Sequence, residues 1–409
     1  MENKRISHLE EIKMSRIMIF TGKGGVGKSS VASAHAIKSA EEGKRTILVS
    51  TDMAHNLSDI FEMPVGRDIK NLSENLDALE IDPEYVMQTD YQNIMKSFQK
   101  MLTSPAIGAS AEGEMVMIPG LEELFSLLKI ADLEAGGAYD RIIVDCAPTG
   151  ETLALLKLPE LLGWYIEHLF PVGKIAVRVL SPITKSKYKL ELPDSKGMND
   201  IEKLYKKLME LQTLLKDASK TSVRIVTIPE KMVVEETKRN YMYLNLYGYN
   251  VDGIYINRIL PDKLDNRFFG EWKEIQKKYR DELEAVFAQK PQYQIPWYET
   301  DLRGMEGIER MASDSLTDPD LFRILEGQTG EVFEKTKDGY EMMINIPFAK
   351  KGDLSLKTNG TDVILRLGND KRSIPLPSIL TSYDITSAKF EQENLRICFS
   401  PRSTEGQKS

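Results

Sequence analysis

The stretch FTGKGGVGKSSVASAHA, residues 20–36, holds Gly22 and then Gly27, Lys28 and Ser29 at the spacing G-x-x-x-x-G-K-[ST]. Such a loop lets backbone N–H groups curl around phosphates, and the helix that follows adds the positive end of its dipole. Lys28 is predicted to bind the β- and γ-phosphates of a nucleoside triphosphate, and Ser29 to bind Mg2+. Gly22, Lys23, Gly24, Gly25, Val26, Gly27 and Ser30 complete the candidate nucleotide cradle. A phosphate loop needs only one lysine, yet Lys23 supplies a second directly after the first glycine. Taken alone, it reads as a solvated loop residue or as a cation with a separate duty.

Two further stretches carry carboxylates. In STDMAHNLSDIF, residues 50–61, Asp52 can orient an attacking water and accept its proton. Phosphoryl transfer is mostly positioning and electrostatics, so a weak base suffices. The competing role is a cap for the helix that begins near Leu57, with His55 and Asn56 as turn residues. In VDCAPTGETLALLKLP, residues 144–159, Asp145 follows an apolar run and stands where it can hold Mg2+ through a water or a hydrogen bond to Ser29. Pro148, Thr149 and Gly150 form a short loop able to respond to the γ-phosphate. Cys146 reads as a small core residue.

These groups need a scaffold, and the apolar runs supply one. IMIFT (17–21), RTILVST (45–51), YDRIIVDCAPTG (139–150), SVRIVTIPE (222–230), VDGIYINRIL (251–260) and the weaker QYQIPWY (292–298) read as strands separated by helical patterns. Continuous apolar strands alternating with helices make an α/β fold, a mostly parallel sheet covered on both faces. Ligands bind at the carboxyl ends of such strands. The phosphate loop, Asp52, Asp145, Glu230 and Asn257 all fall at such ends. Helical insertions are expected at about 83–136 and 157–219. Near residue 330 the texture changes to short alternating strands, which predicts a small antiparallel β-sandwich. The expected domains are therefore 1–327 and 331–402, followed by a disordered tail at 403–409.

The 409 residues carry a net charge of -8, which speaks against nucleic acid as a partner. Two cysteines, Cys146 and Cys398, exclude a disulfide framework and suit a reducing compartment. The stretch MENKRISHLEEIKMSR has no apolar core of a signal peptide. No run reaches the roughly 18 apolar residues of a membrane span. A soluble, cytoplasmic protein is expected.

Taken together, GKGGVGKSS, TDMAHNLSD, DCAPTGETL, IPGLEEL (118–124), TIPEKMVVEETKR (227–239) and VDGIYINRILP (251–261) resemble the ArsA-type ATPases. That family includes arsenite-pump ATPases and tail-anchored-protein targeting factors, and the resemblance covers roughly residues 15–315. It implies a P-loop ATPase with a helical client-binding subdomain, working as a homodimer. It implies that Lys23 reaches across the dimer to the partner's nucleotide and that Asp52 is the catalytic switch-I aspartate. It also implies that Asn257 contacts the adenine and that Glu230 lies near the nucleotide and the dimer interface. Residues from 352 to 399 resemble the small-heat-shock-protein (α-crystallin-like) domain appended to some prokaryotic members. No catalysis follows from that second likeness.

Departures from the family narrow the client. Arsenite favours clustered thiolates, and this chain has only two cysteines, in different domains. The region 259–287 holds no cysteine or histidine, so a zinc-pinned dimer is not expected. What remains is apolar helical material. Met95, Phe98, Met101, Leu102, Met115, Met117, Leu124, Phe125, Leu127 and Leu128 lie in one stretch, and LALLKLPELLGWYIEHLF (153–170) is another. Methionine-rich surfaces adapt to varied apolar ligands. The small, polar segment SPAIGASAEGE (104–114) suits a mobile lid or a disordered loop. In the targeting members the corresponding helices form a groove for a transmembrane helix. The expected function is a nucleotide-gated switch that captures an apolar segment such as a tail-anchored helix. A chaperone-like holdase regulated by ATP is the runner-up. An arsenite-efflux ATPase and a partitioning ATPase are the weaker readings.

Overall fold

In the computed structural model, the structure describes residues 15–52, 56–93, 96, 121–147, 195–264, 267–325, 330–358, 362–368 and 370–402. The larger part is an eight-stranded sheet. Its strands are β1 (Arg16–Thr21), β2 (Thr46–Ser50), β3 (Lys70–Ser73), β4 (Leu76–Glu80), β5 (Arg141–Asp145), β6 (Thr221–Thr227), β7 (Val251–Ile259) and β8 (Gln292–Pro296). They run in the order β3-β4-β2-β5-β1-β6-β7-β8. All neighbours are parallel except β3 and β4. The six strands read from the sequence are present. The β3–β4 pair was not anticipated: β3 is mostly exposed and carries no apolar run.

Helices cover both faces. They are α1 (Lys28–Glu41), α2 (Asn56–Phe61), α3 (Pro83–Thr89), α4 (Leu121–Ala135), α5 (Ser195–Lys216), α6 (Lys231–Leu246), α7 (Arg267–Val286) and α8 (Gly304–Ser315). Strand residues alternate between the two covered faces. Ile17 and Ile19 of β1 join the core beneath α4 and α5, whereas Met18 and Phe20 join the one beneath α1 and α8. Every residue of β1 is buried, as a central parallel strand requires.

The expected insertions are helical where they are described, in α3, α4 and α5. One expectation changes. Leu124, Phe125, Leu127 and Leu128 are at most 1% exposed and pack into the sheet's core, so they line no open groove. An apolar helix face reads alike in sequence whether it meets a sheet or a client. Met95, Phe98, Met101, Leu102, Met115, Met117, the 104–114 segment and the 153–170 stretch lie outside the described residues, as do Trp164, His168 and the tail.

The C-terminal part is a two-sheet β structure. One sheet has the order β14-β15-β10-β9 and the other β11-β12-β13. Their strands are β9 (Glu331–Lys335), β10 (Tyr340–Asn345), β11 (Leu354–Thr358), β12 (Asp362–Leu367), β13 (Asp370–Pro375), β14 (Tyr383–Glu391) and β15 (Asn394–Pro401). All of their pairings are antiparallel. This β part packs on α6 and the end of α7. Tyr241 and Phe287 meet at 5.1 Å between ring centroids, and Phe348 of the β part lies 6.1 Å from each.

Candidate functional site

The loop between β1 and α1 is shaped by close approach. A Cβ on Gly22 would lie 2.1 Å from the Val226 carbonyl oxygen, and one on Gly27 would lie 2.4 Å from Nδ2 of Asn257. Both glycines also hold positive φ, 153° and 91°, which other residues adopt at a cost. Gly27 is the N-cap of α1, and no side chain caps the helix there. The first amides of α1 thus keep their donors for an anion.

The two lysines of the loop occupy different surroundings. Lys28 is buried in the first turn of α1. The Lys23 side chain is 37% exposed and its ammonium lies 3.6 Å from the carboxylate of Glu236 on α6. Lys28 is enclosed at the junction of loop and helix, whereas Lys23 turns to α6.

Parallel register brings the carboxylates to the same edge. Asp145 pairs with Phe20 on one side and Ser50 on the other, so it lies level with the end of β1 and two residues before Asp52. The Thr51 amide donates to the Asp145 carbonyl at 3.0 Å, and the Cys146 amide to the Phe20 carbonyl at 3.1 Å. Asp52 is half-buried; its Oδ2 accepts from Asn56 Nδ2 at 2.9 Å.

Asp145 is fully buried, and neither carboxylate oxygen has a hydrogen-bond partner among the described residues. Burial pushes its carboxyl up to about 7. Ser29 and Lys28 pull the other way, and the nearby Asp52 adds to the rise. The Ser29 hydroxyl lies close enough to favour the carboxylate without the geometry of a full hydrogen bond. The buried Thr21 hydroxyl is also unpartnered among the described residues. Oxygen donors left open beside a phosphate loop fit a hydrated magnesium ion, which takes one or two carboxylates and keeps its waters.

Asn257 lies two residues before the last of β7, and Glu230 lies three residues past β6. Asn257 is 5% exposed; its Nδ2 donates to the Val26 carbonyl at 2.8 Å and its Oδ1 accepts from the Arg258 amide at 2.8 Å. It braces the phosphate loop. Glu230 is the half-buried N-cap of α6, where its side chain makes no capping bond. His55 and the 148–150 loop lie outside the described residues.

One residue escaped the sequence reading. Glu80, at the end of β4, is 3% exposed. Its Oε1 accepts from the amides of Leu57 and Ser58, each at 3.0 Å, and its Oε2 from the Ser58 hydroxyl at 3.1 Å. It therefore caps α2, the helix that begins four residues after Asp52. The available signal was a carboxylate ending the short run LDALE. Replacing Glu80 with alanine leaves two amides without that acceptor and is expected to cost about 1–3 kcal/mol. Denaturant unfolding measures it, and ATP turnover should fall because Asn56 no longer steadies Asp52. An unchanged midpoint would remove Glu80 from this role.

Known proteins are similar to this chain along most of its length. Residues 15–317 match the family described as anion-transporting ATPase, and residues 337–399 match an HSP20-like domain found in ArsA. A candidate arsenical pump-driving ATPase of Chlorobaculum tepidum is 35% identical over 387 residues, covering 94% of this chain and 96% of its own length. A second candidate of that description, from Aquifex aeolicus, is 31% identical over 396 residues, 94% of this chain and 100% of its own. The ATPase get3 of Pyrenophora tritici-repentis is 31% identical over 320 residues, 75% of this chain and 92% of its own.

Proposed function

Because the chain belongs to the ArsA-type ATPase family and hydrolyses ATP, we propose that it is a homodimeric switch that captures apolar protein segments, such as tail-anchored transmembrane helices. The observation that carries this reading is Lys23. A cation in the phosphate loop that stands outside its own cradle suits a nucleotide bound by a second subunit. There it would offset charge spreading over the transferring phosphoryl oxygens, as an arginine finger does.

The remaining roles follow the positions. Lys28, the loop amides and the open start of α1 hold the triphosphate. Asp52, held by Asn56, orients the attacking water. Ser29 and Asp145 would hold Mg2+, which neutralises charge on the phosphates when bound. Glu230 lies toward the nucleotide and the dimer interface, and Asn257 sets the loop that the adenine approaches. Among the described residues no helix is long and apolar enough to cross a membrane, and both cysteines are free thiols. We place the protein in the cytoplasm, free of zinc and nucleic acid.

The test is a capture assay. The Asp52→Asn variant, loaded with ATP, is offered a peptide carrying a transmembrane helix. Retention with ATP and release with ADP is the expected result. Equal retention with and without nucleotide would end the switch reading. It would favour the second one, an ATP-regulated holdase, which the HSP20-like match supports. Some relatives are named for arsenical pumps, but Cys146 is 1% exposed at the end of the sheet and Cys398 lies on β15. No thiolate cluster forms from that pair.

A further inference from the structure

We propose that α6 is a movable strut through which the C-terminal β part regulates ATP turnover, with Arg372 as its clamp at the far end. The helix has 16 residues, so it spans about 24 Å. Its near end adjoins the nucleotide site. It leaves β6, whose Val226 carbonyl presses on Gly22, and its Glu236 holds Lys23.

The far end is completed from another part of the chain. A helix leaves its last four carbonyls without partners of its own. Here the Tyr243 carbonyl accepts from the Tyr247 amide at 3.0 Å, Leu244 from Tyr249 at 2.9 Å and Asn245 from Gly248 at 3.0 Å. The fourth carbonyl, of Leu246, accepts from Nη1 of Arg372 on β13. That guanidinium is 2% exposed and also donates to Glu331 at 2.8 Å. A buried cation at a helix C-terminus complements the dipole as well as the open carbonyl. Tyr241, wedged between Phe287 and Phe348, adds an apolar contact to the same junction.

Asn240 marks the middle of the helix as a place of compromise. It is 1% exposed, and neither its amide nitrogen nor its oxygen has a partner among the described residues. One turn earlier, the buried Thr237 hydroxyl bonds Thr227 at 2.8 Å, so this face of α6 meets β6 with polar groups. A buried amide without partners is expensive, and an apolar residue of similar size would seat the helix better. We infer that a second position of the helix would satisfy this group. A shift of α6 along β6 would move Glu236 and Lys23 at one end while pulling on Arg372 and Phe348 at the other. Nucleotide state and the seating of the β part are thus linked by one rigid element.

The proposal rests on ATP hydrolysis and stands whether or not the dimer and client readings hold. Its test uses the full chain. Asn240→Leu is expected to melt at higher temperature than the wild type while turning over ATP at least about five-fold more slowly. Arg372→Gln is expected to change turnover or the KM for ATP by about five-fold, with an unchanged circular dichroism spectrum. Should Arg372→Gln fail to fold, amide exchange of the wild-type chain decides. Adding ADP or a non-hydrolysable ATP analogue should change protection in residues 240–246 and in β13. A nucleotide effect that stops within the first two turns of α6 would overturn the proposal. So would wild-type turnover and KM in both variants.

Discussion

Lys23→Ala is expected to slow ATP hydrolysis by about a thousand-fold, the lower range for a trans-acting cation, while nucleotide affinity changes only a few-fold. The split follows from the two surroundings. Lys28 is buried at the start of α1 and stays to bind phosphates. Lys23 is partly exposed and engages Glu236 outside the cradle. Rates and affinities measured side by side check the first part. A mixing experiment checks the rest. Lys23→Ala and Asp52→Asn subunits are each inactive alone. A mixed dimer of the two holds one site with an intact Asp52 and an intact Lys23 from the other subunit. Activity should return on mixing. If mixed dimers form and stay inactive, the cation does not act across an interface.

The second large effect is at Asp145. Its carboxyl is raised from 3.8 to about 7, first by burial and then by Asp52, against Ser29 and Lys28. The sign is fixed by proton counts. Between these values the folded chain holds a proton that the unfolded chain has released. Stability of the nucleotide-free protein therefore falls as pH rises from about 4 to about 7, by something on the order of 4 kcal/mol. Asp145→Asn removes this slope. In chelator, the variant should gain in melting temperature over the wild type between pH 5 and pH 8. It should also lose the extra stability that magnesium with ATP confers, along with most turnover. A wild-type melting temperature that rises relative to the variant across that interval would contradict the raised value.

Much of this site was legible before any fold was known because its chemistry is local. Gly22 to Ser29 are consecutive, so their spacing alone states what backbone they can form. Asp145 and Asn257 stand at the ends of buried runs, and parallel strands bring such ends to one edge. Other features depend on partners far away in the chain. Asn257 bonds a carbonyl 231 residues earlier, and no property of the pattern INR announces that contact. Glu80 caps a helix 23 residues before it, from a strand too short and mixed to stand out. The apolar face of α4 has the pattern of a client surface, but the sheet claims it.

The sequence by itself determined the nucleotide chemistry, the parallel sheet and the family, since each rests on short spacings and on the periodicity of burial. Only the tertiary structure decided which lysine is buried, which carboxylate lacks partners among the described residues, and where Arg372 ends. Those outcomes depend on burial and on contacts between distant segments, which a one-dimensional pattern does not specify. Lys23 and Lys28 are the same residue type five positions apart. Their surroundings differ because one lies in the first turn of α1 and the other faces α6, a helix distant in the chain that follows the strand beside β1.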